Sequence, residues 1–200
     1  MSKFIQSSAS KLYIPDAEVY YVPGFFTERE SERYYTQLLE QVSWKQEKIR
    51  MFGKEMPMPR LTAWYGHKAY TYSGLQNKPQ PWLPLLLQIK EKVELATGHS
   101  YNSVLLNLYQ SGQNSMGWHS DDEPELGPEP TIASVSLGAE RRFGFRHRHN
   151  KAQKNIYLTI THGSLLLMQG PTQHNWQHAI PKTSRLIGNR INLTFRNIVS

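Results

Sequence analysis

Past residue 100 the chain breaks into short apolar or alternating stretches at 104–110, 132–138, 142–147, 156–161, 165–169 and 190–198, each fenced by Gly, Pro, Asn or Asp. Strands this short and this evenly punctuated bury their apolar faces by pairing into a sandwich or closing into a barrel. The first hundred residues supply helices. Thr27 and Glu30 make a capping box, and Tyr34, Leu38, Leu39 and Val42 follow at helical spacing, which predicts a helix over 27–42. Leu83, Leu86, Leu87, Ile89 and Val93 stripe a second helix over 81–97, with Gly98 as its stop. Lys11 to Val22 reads as extended chain with a turn at Pro15-Asp16. Two helices bracing one face of a mainly β domain is the expected architecture. The block from Met51 to Tyr72, rich in proline, reads as extended arms and hairpins rather than core.

Composition narrows the chemistry. A chain of 200 residues suits one domain. With no cysteine, disulfides, zinc–thiolate sites, iron–sulfur clusters and thiol nucleophiles are excluded, so any metal must rest on His, Asp or Glu. The formal net charge of +7 favours a polyanionic partner, although many proteins are mildly basic without one. Two clusters concentrate the charge: Arg141, Arg142, Arg146, Arg148 and Lys151, then Lys182 and Arg185. These are expected to track phosphates, with Arg142 alternatively supporting a site from inside. No apolar run approaches the length of a membrane span, and no apolar leader is visible in 1–12, so a cytoplasmic or nuclear protein without membrane contact is expected.

The strongest local motif is Trp118-His119-Ser120-Asp121. On extended backbone residues i and i+2 point the same way, so His119 and Asp121 can ligate one ion. By itself His-x-Asp is a weak signal. Of the eight histidines, His147 and His149 sit among arginines, His162 lies at a turn, His67 lies in a loop and His99 follows a helix. His174 and His178 remain as candidates for a third ligand. The last strand alternates cleanly, with Ile191, Leu193 and Phe195 on one face and Arg190, Asn192, Thr194 and Arg196 on the other. That polar face is either a solvent face or, inside a barrel, a site for an anion. Asn107 and Tyr109 share a face in the same manner. Two histidines and one carboxylate leave positions open on a metal and suit non-haem Fe(II) oxygenases, whose co-substrate 2-oxoglutarate needs an arginine for its far carboxylate.

Several ordered blocks then carry a resemblance: Asn107-x-Tyr109, Gly117-Trp118-His119-Ser120-Asp121-Asp122-Glu123, Ser134-Val135-Ser136-Leu137-Gly138, Gly163-Ser164-Leu165-Leu166-Leu167-Met168, Trp176-Gln177-His178, Pro181-Lys182, and Arg190-x-Asn192-Leu193-Thr194-Phe195-Arg196. Over about 50–197 the chain resembles the AlkB family of Fe(II)- and 2-oxoglutarate-dependent dioxygenases, which remove alkyl groups from nucleic-acid bases. The resemblance implies a double-stranded β-helix (jelly roll) at 100–198, an N-terminal extension and helix at 1–45, and a nucleotide-recognition lid at 46–78. It implies His119, Asp121 and His178 as iron ligands, which sets His174 aside. It implies Asn107, Tyr109, Arg190, Asn192, Thr194 and Arg196 around 2-oxoglutarate, with Arg190 on the distal carboxylate and Arg196 near the keto-acid end. O2 is the second co-substrate, and Arg190 is counted with the triad among the catalytic residues.

The same resemblance extends to the substrate. Tyr72 and His119 are expected to sandwich a base flipped out of its stack, with Tyr70 and Thr71 beside them. Asp122 and Glu123 could accept from an exocyclic amine or favour a cationic base. Met51-Phe52-Gly53-Lys54 looks like the hairpin tip of the duplex-acting branch, where an apolar side chain fills the gap left by the flipped base, and Arg60 also matches that branch. The implied activity is direct reversal of 1-methyladenine and 3-methylcytosine in DNA by a monomer, releasing succinate, CO2 and formaldehyde. The alternatives are the same chemistry on RNA or another macromolecule, a catalytically silent nucleic-acid-binding module, and a zinc hydrolase on a cupin-like barrel.

Overall fold

The computed structural model describes residues 10–51, 54–67, 70–72, 75–77 and 79–199. Two antiparallel sheets face one another. The larger runs, in spatial order, Ser10–Lys11, Glu18–Val22, Ser164–Gln169, Ile132–Gly138, Arg190–Arg196, Ser103–Tyr109 and Leu61–Gly66. The smaller runs Ile156–Ile160, Arg141–His147, Trp176–Ile180 and Met116–His119. From Ser103 onward the chain crosses between the sheets, four strands to each, which is the double-stranded β-helix expected from the sequence. The predicted strands fall within two residues of those observed.

Strand alternation splits the larger sheet into two faces with different tasks. Val104, Leu106, Val135, Leu137, Leu165, Ile191, Leu193 and Phe195 pack outward against the helices Glu28–Gln41 and Pro84–Thr97, through Tyr34, Leu38, Leu86, Ile89 and Val93. The first helix starts as its sequence dictates: the Thr27 hydroxyl accepts from the Glu30 backbone N–H, and Glu30 accepts in return from the Thr27 N–H at 3.0 Å. The second helix begins at Pro84 rather than at 81, because the Pro84 ring holds Leu83 extended, with ψ 144°, and so bars a helix from running through it. It stops at Gly98, whose φ of 74° lies in the left-handed region.

The inward face of the larger sheet meets the smaller sheet across a second core that includes Trp64, Leu105, Phe143, Phe145, Met168 and Trp176. Reading Met51 to Tyr72 as arms outside the core is corrected here. Leu61–Gly66 is the edge strand of the larger sheet, paired with Ser103–Tyr109, and Ala63, Trp64 and Tyr65 are buried. Its Trp-Tyr pair is wet on neither face, a pattern that proline-rich flanks disguise. The remainder of that block does form hairpins, Lys48–Met51 with Lys54–Pro57 and Tyr70–Tyr72 with Leu75–Asn77, each a two-stranded sheet of its own.

Candidate active site

The alternating polar residues of the last strand face inward. Arg190 and Arg196 are 1% and 2% exposed, so the solvent-face alternative fails. Both guanidiniums enter a chamber between the sheets, lined also by Asn107, Tyr109, Asn192 and Thr194, by Arg60, and by His119, Asp121 and His178. Its empty volume, open mouth included, is about 490 Å³.

The three metal-ligand candidates converge. His119 ends the strand Met116–His119, and His178 sits directly opposite it on Trp176–Ile180, their ring centroids 4.2 Å apart. Asp121 follows in the loop, and one ligand atom from each residue lies within 4.8 Å of the other two. Each side chain is held. His119 Nδ1 lies 2.9 Å from the Gly117 carbonyl, which requires the proton on Nδ1 and leaves the Nε2 lone pair for a metal. His178 stacks on Phe143 with 11° between the rings. Asp121 Oδ1 accepts from Arg196 Nη2 at 2.5 Å, and the Asp121 backbone N–H donates to Gln173 Oε1 at 2.9 Å.

Electrostatics match that task. Burial pushes His178 down to about 3, with the neighbouring His119 adding to the effect, and burial lowers His119 as well. Both imidazoles are therefore neutral at physiological pH, the form that binds metals. Burial alone would raise Asp121, but the Arg196 guanidinium bonded to it outweighs burial and keeps the carboxyl ionised. A set of two neutral imidazoles, His178 buried and His119 half-buried, with one buried carboxylate suits a divalent transition metal such as Fe(II), and His174 is not part of it: its ring bonds the Pro128 carbonyl from an exposed turn.

Arg190 behaves differently from Arg196. Its Nη2 donates to the Ser136 hydroxyl at 2.8 Å, and where Arg196 has Asp121 it has no carboxylate partner among the described residues. The Tyr109 ring lies 5.2 Å away, and burial pushes the guanidinium down to about 10. A charge at full burial is costly unless a counter-charge meets it, and the carboxylate of a ligand fits a guanidinium in this role. Around it the wall is knitted together. Asn192 Nδ2 donates to Ser134 Oγ and to the Val135 carbonyl, Thr194 Oγ1 donates to Asn192 Oδ1, and Arg60 Nε donates to Asn107 Oδ1 at 2.6 Å. The polar atoms of Asn192 are thus already engaged by its neighbours.

Other expectations fare variously. Asp122 points away from the chamber lining and pairs with Arg148 at 2.5 Å, and Glu123 precedes the short helical turn Pro124–Leu126. Phe52 and Gly53 lie outside the described residues, as do the side chains of Lys54, Tyr70, Thr71 and Tyr72. Arg142 is not an internal support. It is exposed and stacks on Tyr157 at 3.6 Å, while its neighbour Arg141 is the buried one. Strand alternation forces one of any adjacent pair inward, and the sequence alone did not say which. Sequence reasoning assigned no role to Ser134, Ser136 or Gln173. The two serines share the period of two that exposed the arginines; Gln173, on the turn Thr172–Asn175, carries no such signal.

The comparisons with known proteins agree with this geometry. The pattern of the 2OG-Fe(II) oxygenase superfamily matches residues 18–196. The chain is 44% identical over 184 residues to the bovine protein named alpha-ketoglutarate-dependent dioxygenase alkB homolog 3, covering 88% of this chain and 64% of that protein. It is 39% identical over 185 residues to the mouse protein named DNA oxidative demethylase ALKBH2, covering 87% and 77%. The solved structure of OsALKBH1 superposes with a TM-score of 0.67 at 15% identity, covering 94% of this chain and all of the other, and so supports the fold. The chain spans less than two thirds of the length of its alkB homolog 3 relatives. It belongs to the 2OG-Fe(II) oxygenase superfamily, among the AlkB homologues.

Proposed function

We propose that this protein is an Fe(II)- and 2-oxoglutarate-dependent dioxygenase that removes alkyl groups from nucleic-acid bases, with N-methylated adenine and cytosine in DNA as its first substrates. The observation that carries the reading is the meeting, in one chamber, of a His-Asp-His set and a buried arginine, Arg190, that no carboxylate of the described residues partners. The names of the relatives, one a DNA oxidative demethylase, point the same way.

His119, Asp121 and His178 hold the iron. Arg196 keeps Asp121 ionised and fixes the oxygen that it grips, leaving the other for the metal. Arg190 takes the far carboxylate of 2-oxoglutarate, with Tyr109, Asn107, Asn192 and Thr194 shaping the space beside it. Arg196, bonded to Asp121, would stand near the keto-acid end of 2-oxoglutarate. When bound, iron with O2 couples decarboxylation of 2-oxoglutarate to hydroxylation of an N-methyl carbon, which leaves as formaldehyde. Tyr72 and the His119 ring sandwich the flipped base with Tyr70 beside it, Glu123 favours its positive charge while Asp122 is taken up by Arg148, and Phe52 occupies the gap in a duplex. The exposed Arg142, Arg146 and Arg148 hold phosphates. The protein works as a monomer in the nucleus or cytoplasm; among the described residues no helix is long and apolar enough to cross a membrane.

The test is a panel of oligonucleotides carrying 1-methyladenine, 3-methylcytosine or ethenoadenine, single- and double-stranded, DNA and RNA, with formaldehyde and succinate measured. Formaldehyde from methylated DNA, dependent on iron and 2-oxoglutarate, is expected. Faster turnover on RNA would move the substrate, and succinate without formaldehyde would move it away from nucleic acid. Neither product from iron-loaded protein would overturn the reading.

A further inference from the structure

Arg141 is 3% exposed and belongs to no part of the reaction derived so far. Its Nη2 donates to the carbonyls of Asn114 and Pro181, each at 2.8 Å, and Nη1 makes a longer 3.4 Å contact to the Ser111 carbonyl. Its guanidinium lies 5.6 Å from the Tyr109 ring centre, and that of Arg190 lies 5.2 Å from it. Tyr109 and Arg190 are the terminal register pair of their two strands. Chain leaves Tyr109 into the loop 110–115 and enters Arg190 from the segment 181–189. Those are the two pieces of backbone that Arg141 ties together.

The end of a ladder is where strands fray, because each backbone bond there has a neighbour on one side only. Here the two loops also touch directly. Thr183 N–H donates to the Gly112 carbonyl at 2.9 Å, and Gln113 Nε2 donates to the Thr183 carbonyl at 3.1 Å. The approach is so close that a Cβ on Gly112 would stand 2.5 Å from the Thr183 oxygen. A planar guanidinium donating to separate loops acts as a rigid cross-brace, a task that the single ammonium of lysine does less well.

We infer that Arg141 is a positioning residue for 2-oxoglutarate: it latches loops 110–115 and 181–189 and so fixes Tyr109 and Arg190 where the distal carboxylate is received. The latch stands apart from the metal, so its loss acts on co-substrate binding and leaves the triad in place. This rests on the reading of Arg190 as the carboxylate anchor, and the experiment separates the two.

Arg141→Met, Arg141→Lys, Gly112→Ala and Arg190→Met are compared by KM for 2-oxoglutarate, kcat at saturating 2-oxoglutarate, and Mn(II) affinity without 2-oxoglutarate. Arg141→Met is expected to raise KM about tenfold, with kcat within about threefold and Mn(II) affinity unchanged. Arg141→Lys is expected to recover part of that loss. Gly112→Ala, which forces the loops apart without touching Arg141, is expected to raise KM as well, and both it and Arg141→Lys carry the test should Arg141→Met fail to fold. If Arg190→Met raises KM while folded latch variants do not, the latch is overturned and the anchor stands. If Arg190→Met leaves KM unchanged, the anchor and the latch fall together. A fall in kcat and Mn(II) affinity with KM unmoved would mean a merely structural role and also overturn it.

Discussion

Arginines line this molecule in two places, and the same side chain means different things in each. Inside, Arg60, Arg141, Arg190 and Arg196 are buried. Outside, on the smaller sheet and its loops, Arg142 stacks on Tyr157, Arg146 stacks on Trp118 and bonds Gln177, and Arg148 pairs with Asp122. An exposed guanidinium keeps its water, so its pairings are worth about 0–1 kcal/mol and say little about purpose. A buried one must replace every lost water with an acceptor. Where a carboxylate of the chain meets it, as Asp121 meets Arg196, it builds the site; where it meets only a hydroxyl among the described residues, as Arg190 meets Ser136, it marks the place of a ligand.

The sharpest way to break this contrast is to remove an acceptor from inside. Asp121→Ala removes a metal ligand and the buried carboxylate that Arg196 bonds, so demethylation is expected to fall below detection, and stability by about 3–5 kcal/mol in urea unfolding. Full retained activity would dismiss the triad. Arg190→Met should do the opposite to the resting protein, because it removes a buried charge that no carboxylate of the described residues partners. Stability without 2-oxoglutarate is expected to be equal or higher, while KM for 2-oxoglutarate rises about 30- to 100-fold, the loss of charge-assisted bonds worth about 2–3 kcal/mol. A destabilised Arg190→Met with normal KM would erase the distinction between the two arginines.

Outside, effects should be smaller and salt-dependent. Arg142→Ala with Arg146→Ala is expected to lower the slope of log affinity against log salt for an oligonucleotide by about 2, with KM for 2-oxoglutarate unchanged. An unaltered slope would remove these residues from the nucleic-acid contact.

Away from both regions, Glu30→Ala breaks the capping box and the bond from Lys92, at a cost of about 1 kcal/mol. The hydrogen bond from Lys92, with the Thr27 bonds behind it, lowers the Glu30 carboxyl from 4.5 to about 2. Its contribution is therefore complete above pH 4.5 and fades as pH falls toward 2. Thermal melts should show Glu30→Ala lower by about 2–4 °C at pH 7, with the gap closing near pH 2.

Much of this was legible in the residues because strand periodicity carries direction. Arg190, Asn192, Thr194 and Arg196 share a face by counting alone, and the helix starting after Thr27 is written in its cap. What counting leaves open is which face meets water. The last strand by itself reads more readily as a solvent face until the smaller sheet covers it, and Arg141 and Arg142 are indistinguishable until the pleat chooses. His174 and His178 were separated by family resemblance, not spacing; the structure adds the reason, since only His178 stands across from His119. The strand Leu61–Gly66 hid among prolines, and Gln173 reaches Asp121 across 52 positions with no local pattern to betray it.

The central claim, that three distant side chains grip one metal, is tested most directly by calorimetric titration of Mn(II) into the wild-type protein and into His119→Ala, Asp121→Ala and His178→Ala. One ion per chain is expected, with each substitution weakening binding at least tenfold and added 2-oxoglutarate tightening it in the wild type. Undiminished binding in any one of the three would contradict the assignment of that residue and of the site built on it.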